Sequence, residues 1–575
     1  MILSRPVFYS VFTSMCSVLA LGLTPGCGGD DSPAQSTSSG AGSSSANSAS
    51  SSGGSGGGAG GSSASSSSSA ASGTGGGGGQ QTGFHLSGKV SYESVPYNNA
   101  LEGLDYAGIK KRPIRGASVR LLNADTSAEI AKTVSDDKGG YSFNYVDTAS
   151  VKLWVSSETK VPSITVEDNT AGDAIYTMES AVVASGLDVK LNPVATTGWT
   201  GAGYTKARLA APFAVLDAAY TAAHRFLTET TTPPQMPPLK LNWSVDNRPE
   251  DGDKSLGQIG TSQWDHTELY ILGKESVDTD EFEGHIIVHE WTHFFQGKVG
   301  RSDSPGGSHN FTDVVDPRVA WGEGFATAIS AIILDPDTVY ADSYGLQQKD
   351  GFHYDLEVND ASAGENPGWY SERTVSGIVF DLYDGANEPF DKVNIGLNGI
   401  YTAMVADRTT PALTTIFSFT AGVKAATPQA VANINTLVAF YKLDVSFGLD
   451  TIQDAWGTGE THTGGVASSV PVYRTATIGS LWKAKFTGGA SENKLTQNRY
   501  FRIAGDGQPI TVESTCASDV DLFVYKLGTS VAEAKSQSGD EMLTFATTVG
   551  QTYVLVVQGF ETKAIAYSAD ITFTH

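Results

Sequence analysis

The pentapeptide His289-Glu290-Trp291-Thr292-His293 constrains this chain more than any other stretch, because it sets two metal-binding side chains in a strongly apolar surround. Phe282, Ile286, Ile287, Val288, Trp291, Phe294, Phe295 and Val299 recur at helical spacing, which predicts a largely buried α-helix. Residues four apart share one face of a helix, so His289 and His293 can offer their imidazoles to one zinc ion at about 2.0–2.1 Å. Glu290 projects beside that pair, where it can act as general base on a metal-bound water. The plain alternative is a core helix carrying these residues by coincidence. It would leave two buried imidazoles in need of partners, which a metal supplies.

A third protein ligand is expected on the next strong helix. Asp316-Pro317 reads as a helix cap with proline at the first turn, and the apolar run Val319 to Leu334 stops at Asp335-Pro336. Glu323 is the only acidic residue between those caps. A carboxylate there is expensive to bury unless it is paired or binds metal, which makes Glu323 the candidate ligand. Ala320, Gly322, Gly324, Ala326 and Ala328 give this helix a surface that another helix can approach closely.

The HEWTH motif, followed thirty residues after His293 by the Glu of Trp321-Gly322-Glu323-Gly324-Phe325-Ala326, resembles the gluzincin metallopeptidases. The long gap is nearer to the bacterial collagenase type than to the thermolysin or aminopeptidase types. The resemblance implies zinc on His289, His293 and Glu323, Glu290 as base, and a protein or peptide substrate. Thr327 stands where thermolysin-like enzymes carry an Asp that orients a ligand histidine, so a partner for the histidines is expected from elsewhere. No GxMEN-type stretch is present, which favours endopeptidase over aminopeptidase. The strand Leu269 to Leu272 reads either as the sheet edge that pairs with an extended substrate or as an ordinary sheet strand. Amide hydrolysis also needs a donor for the developing oxyanion. His309, His353, Tyr354, Tyr370, Arg373 and His462 are candidates, with Tyr370 and Arg373 preferred because they open the helix Ser371 to Tyr383. Further helices are expected over 207–228, 392–407 and 428–447.

Residues 1–27 read as a signal peptide, with Arg5, an apolar run from Val7 to Leu23, and Thr24-Pro25-Gly26-Cys27. That ending resembles a bacterial lipoprotein cleavage box, which implies a lipid on Cys27, a membrane anchor and an extracytoplasmic, outer-membrane or cell-surface location. Simple secretion is the alternative. Residues 28–82, almost wholly Ser, Gly and Ala, can form no core and read as a flexible tether. Cys16 leaves with the signal and Cys27 is consumed, so Cys516 has no disulfide partner and reads as a small buried residue.

With 37 basic and 62 acidic side chains the formal charge is −25, and no basic stripe stands out, so nucleic-acid binding is disfavoured. The fold class expected is multidomain: an α+β gluzincin-like catalytic domain over 194–465 flanked by two all-β sandwiches, acting as a monomer. The first sandwich, 84–193, is similar to carboxypeptidase regulatory-like, transthyretin-like modules through Ser87-Gly88-Lys89-Val90, Ile114 to Val119 and Asp137 to Phe143. The second, 478–575, resembles the pre-peptidase C-terminal domain. Its strands are expected at 498–504, 509–514, 520–526, 542–547, 552–558 and 566–573. Such domains bind calcium or fibrous substrate; Asp519 and Asp521 are the candidate calcium ligands, with solvated turn residues as the plainer reading. A surface adhesin with an inactive peptidase-like domain is the competing function, and the intact Glu290 argues against it.

Overall fold

The computed structural model describes residues 83–334, 338–358, 366–385, 388–443 and 454–575. The signal-peptide, lipid-anchor and tether readings of residues 1–82 lie outside that range. Seven helices are described: α1 (Ala211–Glu229), α2 (Gly284–Val299), α3 (Pro317–Leu334), α4 (Glu372–Tyr383), α5 (Gly396–Ala406), α6 (Ile416–Ala426) and α7 (Val431–Phe440). Of these α6 was not expected. Its sequence, IFSFTAGVKAA, buries eight residues and offers no polar face to reveal a period.

The expected boundary at residue 193 does not divide two cores. Strand Ser163–Asp168 pairs in parallel with Leu239–Trp243, through Ile164 with Leu239 and Val166 with Leu241. One nine-stranded sheet therefore runs from Gln263–Trp264 through Leu269–Ile271, Leu239–Trp243, Ser163–Asp168, Val151–Lys160 and Ala117–Asn123 to Glu129–Val134. A single apolar cluster follows it, from Leu86 and Val119 to Leu241, Trp291 and Phe325. The first β region is thus continuous with the layer that packs on the HExxH helix.

Leu269–Ile271 is an interior strand, bonded on one side to Leu239–Trp243 and on the other to Gln263–Trp264. The latter is the edge.

Helix α1 lies against this sheet and against α2, where Phe226 meets Phe295 at 4.4 Å between ring centroids. Helix α3 is buried on every side from Pro317 to Ile333, which explains an apolar pattern without a polar stripe. The small residues do what their pattern implies. A Cβ at Gly324 would stand 2.5 Å from the Glu372 carbonyl oxygen, so only glycine lets α4 come this close to α3.

The second sandwich packs a five-stranded sheet on a four-stranded one over its own core of Phe501, Ile503, Leu522, Leu555 and Ile571. It docks on the start of α3. The Asp316 N–H donates to the Asn493 carbonyl at 2.8 Å, Leu495 N–H to the Val314 carbonyl at 3.1 Å, and the Tyr500 hydroxyl to the Asp316 carboxylate. Cys516 lies just past strand Ile510–Thr515 and is only half-buried, with no disulfide partner.

Candidate metal centre

Helix spacing on α2 and a facing turn of α3 bring three lone pairs to one point. His289 Nε2 lies 3.0 Å and His293 Nε2 3.2 Å from Glu323 Oε2, and the two imidazole nitrogens are 3.1 Å apart. Two ring nitrogens facing each other across one carboxylate oxygen are the arrangement that a single cation would hold. Tetrahedral zinc with bonds of about 2.0–2.1 Å separates its ligand atoms by roughly 3.3 Å, so the donor set fits zinc in kind and in spacing.

The electrostatics of the three donors differ. Burial holds the His289 imidazole down to about 4, favouring the neutral ligand form. Burial also opposes charge on His293, but the Glu323 carboxylate outweighs it and lifts the ring to about 8. Burial would raise Glu323, yet the surrounding histidines, His293 first, hold its carboxyl well below the usual range.

Glu290 sits beside the cluster, its carboxyl pushed up to about 7 chiefly by burial. Its Oε2 accepts the Trp264 backbone N–H at 3.0 Å, so the edge strand itself aims the candidate base.

The partner does not come from elsewhere, as the sequence led us to expect: Thr327 itself places its Oγ1 3.2 Å from His289 Nδ1. A hydroxyl accepts the ring N–H there and fixes Nε2 as the ligand atom. An Asp is therefore not needed to choose the tautomer.

Tyr370, Glu372 and Arg373 at the start of α4 each make a defined contact. The Tyr370 hydroxyl donates to the Pro367 carbonyl at 3.1 Å, and Arg373 lies over the Tyr354 ring, 5.3 Å from its centroid. Glu372, between them, reaches inward to His309 Nδ1 at 2.9 Å, while His309 Nε2 lies 3.6 Å from Glu323 Oε1. Burial disfavours the charged ring, but Glu372 and Glu323 together lift it to about 10. His309 was one of six sequence candidates, and its neighbour Glu372 was not among the residues singled out. Of the others, His462 Nδ1 faces Glu460 at 2.9 Å on the Trp369 side, where Trp369 Nε1 donates to the His462 carbonyl.

A cavity of about 260 Å³ opens in front of the cluster, lined among others by Gly260, Thr261, Ser262, His289, His309, Tyr340 and Glu372. In the second sandwich Asp521 is 8 % exposed rather than a solvated turn residue; burial, Asp519 and Glu541 push its carboxyl up to about 7.

Residues 235–421, which contain α2, α3 and every residue of the candidate centre, match the family model described as the Mycolysin C-terminal domain. No curated protein matches the chain. Among solved structures, the pre-peptidase C-terminal domain of collagenase from Bacillus anthracis is similar at 8 % identity, covering 18 % of this chain and 94 % of that one, with a TM-score of 0.15. Aeromonas hydrophila PliG, a periplasmic inhibitor of g-type lysozyme, is similar at 16 % identity over 18 % of this chain and 99 % of that one, with a TM-score of 0.13. At those scores neither bears on the site. The family match, to a peptidase-associated domain, makes this a peptidase-related protein.

Proposed function

We propose that the chain is an extracytoplasmic zinc endopeptidase. The observation that carries this reading is the convergence of His289 Nε2, His293 Nε2 and Glu323 Oε2 within 3.0–3.2 Å, beside a buried carboxyl at Glu290. Zinc, when bound, supplies a Lewis acid that lowers the pKa of a water and polarises the scissile carbonyl.

The chain's own groups supply the proton traffic. Glu290, oriented by the Trp264 N–H, takes a proton as water oxygen bonds to the carbonyl carbon. It returns that proton to the amide nitrogen as the C–N bond breaks. A carboxyl near 7 suits both halves of the cycle. His309, kept protonated by Glu372 and Glu323, is a cationic group beside the cluster that can favour negative charge developing on the carbonyl oxygen.

Glu290→Gln should keep one equivalent of zinc while hydrolysis of casein falls by about 10²–10⁴-fold, the usual effect of losing a general base. Zinc-loaded wild-type protein that leaves casein and gelatin intact would pass the chain to the adhesin reading. For the anchor, mass spectrometry should find a lipid-modified terminus at Cys27 and none in Cys27→Ser; an unmodified wild-type terminus would make the protein freely secreted.

A further inference from the structure

A second group of acids stands against the same cavity, at the entrance to helix α2. Asp280, Glu283 and Asp342 each offer a carboxylate oxygen, and the three lie within 4.8 Å of one another. Asp278, beside them, also lines the cavity. Asp280 and Glu283 are 3 % and 4 % exposed. They belong to the segment that becomes the first turn of α2, whereas Asp342 comes from the hairpin of Val339–Tyr344 and Asp350–Asp355.

Several other buried acids have cationic partners: Glu281 has Arg208, Asp316 has Arg318, and Glu323 has the histidines. Among the described residues these four have no ion-pair partner. The strongest influences on them are burial and one another, and all four carboxyls are pushed upward.

Two buried atoms independently mark a missing partner. Asp280 lines the cavity, and its Oδ1 is buried without a hydrogen-bond donor. Gln348, fully buried, gives its Nε2 to the Ser343 carbonyl at 2.6 Å and approaches Glu283 Oε1 at 3.4 Å, which leaves its own Oε1 unpartnered beside the group. An amide oxygen cannot answer a carboxylate. Both can answer the same cation.

We infer that Asp278, Asp280, Glu283 and Asp342, with the Gln348 amide oxygen, form a calcium site that ties the start of the HExxH helix to the hairpin over the cavity. The donors are all hard oxygens, with no imidazole or thiolate among them, which selects calcium over zinc. Ligands from two separate segments make the ion a clamp, so it stiffens the approach to His289 without touching the zinc donors. The inference does not depend on the peptidase reading.

The test uses the full-length protein, loaded with zinc and stripped of calcium by a selective chelator. Calcium at a hundred times its dissociation constant should raise the thermal midpoint by roughly 3–5 °C. Terbium, as a calcium probe, should give aromatic-sensitised luminescence that calcium quenches. Asp342→Asn should lose the calcium shift and the terbium signal, keep its zinc by mass spectrometry, and in chelator match or exceed wild type in stability because repulsion is relieved. Should Asp342→Asn not fold, Asp278→Asn, at the more exposed position, serves with the same expectations. Asp521→Asn should retain the midpoint shift. No calcium shift in wild type, an undiminished shift in both cluster variants, or loss of the shift in Asp521→Asn alone would overturn the site.

Discussion

Glu323 and Asp280 are buried to nearly the same degree, 6 % and 3 % exposed, yet their carboxyls move in opposite directions. Burial raises both. Around Glu323 three imidazoles reverse the sign; around Asp280 the neighbours are more carboxylates and the rise is compounded. Asp316 gives a third case, fully buried and gripped by Arg318 through Nε at 3.0 Å and Nη2 at 2.9 Å. What a buried acid does in this protein is therefore set by its partners and not by its depth, and each case can be broken separately.

Removing Glu323 should have the largest effect. Glu323→Ala takes one of three protein ligands and leaves His289 and His293 facing each other, so zinc content should drop well below one equivalent and hydrolysis should fall by orders of magnitude. Unchanged zinc by mass spectrometry would move the third ligand elsewhere.

Asp316→Ala comes next. As a helix cap alone it would cost about 1 kcal/mol. Here it strands the buried Arg318 and the Tyr500 hydroxyl, so denaturant unfolding should show a loss of about 3–5 kcal/mol with zinc binding intact in the folded fraction. A loss near 1 kcal/mol would reduce it to a cap.

Thr327→Val keeps the volume and deletes the acceptor at His289 Nδ1. Zinc affinity should weaken about 10–100-fold by competitive chelation, less than any ligand deletion. An unchanged affinity would mean that packing alone holds the ring.

The smallest effect is a pH slope. Asp407 is 2 % exposed and its carboxyl is pushed up to about 7, chiefly by burial, although the Arg301 charge opposes the rise. Because the folded value exceeds the unfolded value near 4, its stabilising contribution is full below about pH 4 and is lost as pH rises toward 7. Asp407→Asn should flatten that part of the stability–pH profile in urea titrations. A slope identical to wild type would show that Asp407 does not titrate in this window.

How much of this was legible in the sequence followed the physics of each element. Strands Asn498–Ala504 and Val520–Lys526 were readable residue for residue, because antiparallel strands between turns carry their own period. Glu129–Val134 was not: it is an edge strand with no buried residue, so nothing in its alternation marks a core face. Ser163–Asp168 was missed too, and with it the join between the two halves of the long sheet. His289, Glu290, His293 and Glu323 were legible because helical spacing and the expense of burying charge are local rules. Glu372 was not, since its partner His309 arrives from a loop that no periodicity describes. The acids around Asp280 were hidden for the same reason, being assembled from a turn and a distant hairpin.

The parallel pairing of Ile164 with Leu239 also bears on how such a protein can be inherited. A module joined through a loop can be exchanged between genes as a cassette, since its loss exposes little. Here, cutting the chain near residue 193 would unzip the middle of a sheet and leave Leu239–Trp243 with a raw, apolar flank. The second sandwich has its own core and meets the rest of the chain through hydrogen bonds at Asp316 and a small apolar cluster of Leu413, Tyr500, Val554 and Val556, so its exchange breaks no shared sheet. The front half and the half that carries the candidate metal centre must instead descend together, so recombination should tolerate breakpoints near residue 470 and purge those near 193.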